Sequence, residues 1–250
     1  MPKTFFSLFF AFWLSSPLLA QFPTTSMNPE ALAAYQEGQS LLALGDLQGA
    51  HAATQAALRA DTGYVDACDQ MAEVFRDMGQ LDSTIAYYQR SLRLYPRNVR
   101  AHQGLAIAYH MQEDPLAAIN QYRELLNHHP GYPQAYYGMA KVFFAVNEYE
   151  QAVEYSEQAM RVYLRANQGA AAADARMLAG QSYMKQGEYK QAIRYFKASE
   201  RYFGDRPYYP YYLGFCYLRM GQKQKALDLL HEAELRGFQL PNQVREEMQY

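Results

Sequence analysis

A period of 34 residues runs through this chain and limits its possible folds more than any other feature. Windows beginning at Ala31, Val65, Val99 and Pro133, and after six extra residues at Ala173 and Pro207, align with one another. The eighth residue of each is small: Gly38, Ala72, Ala106, Ala140, Gly180 and Gly214. The eleventh is large, namely Leu41, Phe75, Tyr109, Phe143, Tyr183 and Tyr217, and the twentieth is Ala50, Thr84, Ala118, Ala152, Ala192 and Ala226. Self-similarity at this spacing describes short supersecondary units that cannot bury their apolar faces alone and must stack on their neighbours.

The spacing within a window gives the unit its form. Residues such as Leu105 and Tyr109, or Leu213 and Tyr217, lie four apart and share one helix face. The small eighth residue sits beside that stripe, where a second helix carrying the small twentieth residue must come close. Between them the fifteenth residue is Gly45, Gly79, Glu113, Asn147, Gly187 or Gly221, and all but Glu113 belong to types that tolerate the left-handed end of a helix. Pro115 opens the helix after Glu113, and Pro96 and Pro130 close two units. The sequence therefore predicts helix, tight turn, helix, in units 31–64, 65–98, 99–132, 133–166, 173–206 and 207–240. Asn28-Pro29-Glu30 reads as an N-cap followed by a first-turn proline, ending a short linker over 21–30. The extra residues 167–172 read as a loop and then an extension of the fifth unit's first helix. Beyond Gly237 and Pro241, Val244 and Met248 give 241–250 one apolar face, as a capping helix needs.

The pattern resembles the tetratricopeptide repeat, with its small residue, aromatic three positions later, alanine in the second helix and closing proline. Leu105-Ala106-Ile107-Ala108-Tyr109 through Ala118 and Tyr122 to Pro130 carries the resemblance, as does Ala179-Gly180-Gln181-Ser182-Tyr183 through Gly187 and Ala192 to Phe196. It covers about 31–240 and implies an all-α, right-handed α-solenoid that binds protein or peptide segments. Chaperone-binding members hold a terminal carboxylate with a charged clamp. The matching places here are Tyr35, Gln39, Gln70, Arg100 and Gly104, of which only Arg100 suits, so that specialised role is not expected.

Residues 1–20 read as a secretory signal: Lys3 supplies the positive start, Phe5 to Leu14 is an apolar run broken only by Ser7, and Ala20 ends a cleavage-site pattern. The alternative is a retained anchor, although the run is shorter than the roughly 20 apolar residues that span a bilayer. Export is expected, to a periplasm first and to the outside as the alternative, with no membrane span left after cleavage. Charge adds an exclusion. With 23 Lys and Arg against 25 Asp and Glu the net charge is −2, which offers no basic field for nucleic acid. Cys68 and Cys216 fall in units far apart in the stack, so both are expected unpaired and buried.

No phosphate loop, paired-cysteine motif, metal-spaced histidine pair or nucleophile elbow occurs, so no catalytic residue, cofactor or metal site is assigned. His128 and His129, adjacent at a loop end, point in different directions. What remains is the inner wall. By the helical period the second, fifth, ninth and twelfth residues of each window face the concave side. In the second unit these include Asp66, Asp69 and Glu73, an acidic cluster that reads first as a solvated face and otherwise as a site for a basic segment. From the fourth unit come Tyr137, Lys141 and Phe144, from the fifth Asp174, Met177, Gln181 and Met184, and from the sixth Tyr208, Tyr211, Phe215 and Leu218. Aromatic and Met side chains enrich interface cores, so this half is the candidate groove for a protein or peptide partner. Three alternatives stand beside it: self-association through the same surface, burial of these residues by the capping helix, and a hydrolytic envelope enzyme whose catalytic group the sequence does not display.

Overall fold

The computed structural model describes residues 26–249, and among them every regular element is an α-helix. The expected secretory segment lies outside the described residues. The helices are α1 (Pro29–Ala43), α2 (Leu47–Ala60), α3 (Val65–Asp77), α4 (Leu81–Leu94), α5 (Val99–Met111), α6 (Pro115–His128), α7 (Pro133–Ala145), α8 (Tyr149–Arg165), α9 (Gly169–Lys185), α10 (Tyr189–Lys197), α11 (Glu200–Phe203), α12 (Tyr208–Arg219), α13 (Lys223–Leu235) and α14 (Asn242–Gln249). The chain is an all-α helical repeat. From α1 to α10 each helix packs on the next, α10 then packs on α12 and α12 on α13, and first helices of successive pairs also touch, α1 with α3, α3 with α5 and α7 with α9. That extra contact places the first helices on the inner side of the stack. No helix among the described residues is long and apolar enough to cross a membrane.

Turn geometry follows the residue types closely. Gly45, Gly79, Gly187 and Gly221 have φ of 78°, 75°, 81° and 72°, and Asn147 has 64°. Glu113, the one type ill suited to this conformation, adopts it too, at φ 62°. Packing of α5 on α6 thus overrides a local preference. Asn28 caps α1 by accepting from the backbone N–H of Glu30 and Ala31, and its Nδ2 donates to the Ala60 carbonyl at 3.0 Å, tying the start of α1 to the end of α2.

The small places meet bulky partners. A Cβ on Gly180 would lie 2.6 Å from the Phe196 ring, and one on Gly214 2.9 Å from Leu230. Two further glycines, outside the aligned eighth position, are tighter still: Cβ atoms at Gly104 and Gly138 would stand 2.2 Å from the rings of Tyr88 and Tyr122. Tyr88 and Tyr122 are themselves buried, so each second helix drives a ring into the backbone of the next unit's first helix. Cys68 and Cys216 are buried and unpaired.

The fifth pair departs from regularity. Its second helix stops at Lys197, and a separate short helix, α11, begins at Glu200. Buried Ser199 marks the break, donating its hydroxyl back to the Tyr195 carbonyl at 3.1 Å. The hydroxyl of Tyr209, from the next pair, donates to the Phe196 carbonyl at 3.3 Å, satisfying one acceptor near the break. Phe203, on the short helix beyond the break, reaches the inner side.

Candidate functional site

Three inner helices converge where Phe203 reaches the inner side. A cavity of about 300 Å³ opens there, lined by Tyr137 from α7, Asp174, Met177, Leu178 and Gln181 from α9, Phe203 from α11, and Tyr208 and Tyr212 from α12. Met177 and Leu178 are buried and form its floor, whereas Tyr137, Tyr208 and Tyr212 are half-buried walls. The α12 wall is stiff. Tyr208 lies 5.9 Å from Tyr212 between ring centroids, Phe196 stacks on Tyr212 at 5.2 Å, and Gln181 Nε2 donates to the Tyr212 hydroxyl at 2.9 Å. Burial pushes the phenols of Tyr137 and Tyr212 above their ordinary value, so both are neutral near pH 7. Asp174, the one acidic group in the wall, is exposed to solvent, and the partial desolvation it feels raises its carboxyl.

The inner-wall candidates separate into five sets. Tyr137, Met177, Gln181 and Tyr208 line this cavity together. Lys141 and Phe144 lie further along α7, with Lys141 Nζ 5.9 Å from the Tyr137 ring centroid and Phe144 edge-on to Tyr149 at 5.6 Å. Met184 packs beside Met177 and Phe196 in the apolar layer below.

The C-terminal candidates differ from the expectation of an open groove. Tyr211, Phe215 and Leu218 pack against Leu240 and Val244, with Phe238 and Met248 in the same cluster. Tyr211 stacks on Phe238 at 4.6 Å, and ion pairs Arg219–Glu247 at 3.0 Å and Arg245–Glu234 at 3.1 Å tether α14. These three residues seat the cap, because the last unit has no following repeat to cover its apolar face.

The acidic cluster also differs from its reading as a solvated face. Asp69 is only 1% exposed, and its Oδ2 accepts from Asn98 Nδ2 at 2.8 Å, which excludes it from the groove. Asn98 Nδ2 also donates to Ser91 Oγ at 2.8 Å, while Asn98 Oδ1 caps α5 by accepting from the Arg100 and Ala101 N–H groups. Glu73 is held by Arg100 through two bonds, Nε to Oε1 at 2.9 Å and Nη2 to Oε2 at 2.7 Å. The one clamp-like arginine is thereby engaged within the fold. Asp66 stands half-buried near them.

Period reasoning missed Tyr212, Phe203 and Leu178 as wall residues. Tyr212 was within reach, being one turn beyond Tyr208. Phe203 was not, since its direction depends on the break at Ser199. Among the described residues no cluster of three or more His, Cys, Asp or Glu side chains is arranged to hold a metal ion. His102 is buried, with Nδ1 3.1 Å from Gln121 Oε1 and Nε2 3.0 Å from the Pro96 carbonyl, as a structural histidine would be.

Models of the tetratricopeptide repeat match residues 64–130, 131–205 and 177–240, and the chain belongs to that family. Its members bind protein or peptide partners, and the fold is in general an interaction scaffold and not an enzyme. The General transcriptional corepressor ssn6 of Schizosaccharomyces pombe is 30% identical over 139 residues, which is 55% of this chain but 12% of that protein. Pseudomonas aeruginosa pilF has a similar structure, with TM-score 0.68 and 20% identity over 88% of this chain and 95% of that one. YrrB, described as a TPR protein with an unusual peptide-binding site, has TM-score 0.59 and 18% identity over 74% of this chain and 92% of its own. At such identities the structural likeness speaks to the fold.

Proposed function

We propose that this protein is an exported adaptor that holds a protein or peptide segment on its inner wall and serves in assembly or maintenance of the cell envelope. The observation that carries the reading is the aromatic cavity shared by α7, α9, α11 and α12. Tyrosine faces of this kind, on the concave side of a stack, stand ready for a partner side chain. The N-terminal apolar run supports export, and the peptide-binding site named for YrrB gives a precedent within the same fold. Each aromatic anchor buried by a partner contributes about 1.5–3 kcal/mol before ordering costs.

The test uses Tyr137→Ala combined with Tyr208→Ala. Tyr211 is unsuitable because it seats the cap. Affinity capture from an envelope extract, read by mass spectrometry, is expected to lose its main partner with the double variant at least tenfold relative to the native protein, with helical circular dichroism unchanged. Equal capture by both proteins moves the site away from this cavity.

A further inference from the structure

Asp174 differs from the other inner acidic residues in having nothing to bind. Among the described residues its carboxylate makes no hydrogen bond and no ion pair, although Asp69 is bonded to Asn98 and Glu73 to Arg100. The neighbouring cations are engaged elsewhere: Arg176 Nη1 donates to the Ala198 carbonyl at 3.2 Å, and Lys141 rests against the Tyr137 ring without forming an ion pair. Asp174 is exposed and shares its cavity with Tyr137, Tyr208, Tyr212 and Phe203. Aromatic faces attract cations through their quadrupoles, and an unpaired carboxylate beside them adds the opposite charge. The apolar floor of Met177 and Leu178 suits a methylene stem.

We propose that this cavity is a recognition pocket for a basic side chain, lysine or arginine, carried by the bound partner segment, with the cation at Asp174 and the tyrosine rings and the stem over Met177. The inference rests on the groove reading above and specifies what the groove selects. An acidic side chain is excluded by repulsion from Asp174, and a neutral aliphatic one leaves that carboxylate unpaired.

The test titrates the protein with blocked pentapeptides, acetyl-Ala-Ala-X-Ala-Ala-amide, in which X is lysine, arginine, norleucine or glutamate. The reporter is the methyl NMR signal of Met177, assigned by Met177→Leu. Lysine and arginine peptides should shift it saturably, at least roughly fivefold more tightly than norleucine, and glutamate should not. Asp174→Asn should abolish the preference for lysine over norleucine while leaving norleucine affinity unchanged. Norleucine binding as tightly as lysine, a preference that survives in Asp174→Asn, or no shift with any peptide each overturns the proposal. Partner capture separates the two readings. Loss with Tyr137→Ala/Tyr208→Ala but not with Asp174→Asn keeps the groove and removes the cation pocket. An Asp174-dependent preference together with capture that survives the tyrosine double variant keeps the pocket and removes the groove.

Discussion

On the inner side of α3 and α5 most charged groups have partners, although Asp69 Oδ1 and Gln70 Oε1 are buried without one, whereas Asp174 on the inner side of α9 has none among the described residues. In the first region Asn98 joins Asp69, Ser91 and the start of α5, and Arg100 grips Glu73 with both prongs of its guanidinium. In the second, Asp174 has no bonded partner among the described residues and three tyrosine rings line a cavity. A composition-level reading ranks the first as the charged region and the second as the apolar one. The structure reverses the functional meaning: charges paired across successive repeats, as Arg100 and Glu73 are, act as mortar, and a single charge left unmatched beside aromatic faces is available to a partner.

That contrast breaks most readily at Asn98. Asn98→Ala removes the cap of α5 and strands the buried carboxylate of Asp69, and is expected to cost about 3 kcal/mol by urea unfolding. A loss below about 1 kcal/mol would mean the network is not structural. Asp69 gives a second test of similar size, through pH. Burial raises its pKa from 3.8 to about 6, against the opposing hydrogen bonds from Ser91 and Asn98. A folded carboxyl raised in this way binds its proton more tightly than the unfolded chain does. The stability it lends is full below about pH 4 and lost as pH rises through 6, amounting to about 3 kcal/mol. Native protein minus Asp69→Asn should show this fall between pH 4 and 7 in urea midpoints, and a flat difference would place Asp69 in contact with water. The smallest effect sharpens the comparison from the other side. Asp174→Asn should change stability by no more than about 0.5 kcal/mol in thermal melts, because no bond is broken; a larger loss would give Asp174 a structural partner.

Much of this was legible in the sequence, and the reasons are local. The period showed in small residues because helix pairs cannot approach past a side chain, and Gly180 and Gly214 do face Phe196 and Leu230 closely. Asn28 and the glycines of the turns behave as their chemistry requires. The candidate site was legible only in part. Helical period put Tyr137, Met177, Gln181 and Tyr208 on one wall, and they share one cavity. The same rule placed Asp69, Tyr211, Phe215 and Leu218 there, where a neighbour from another element covers each.

By itself the sequence determined the repeat, its helix pairs and the side of each helix that turns inward, since these depend on residue size, spacing and backbone preference within some thirty residues. Only the tertiary structure decided which inward side chains stay open. Closure of Asp69 by Asn98, seating of Tyr211 under Phe238, and the placing of Phe203 beyond the break at Ser199 all depend on groups brought together from different units. Such meetings follow from how much each pair rotates on the last, an accumulated geometry that no single window of sequence contains.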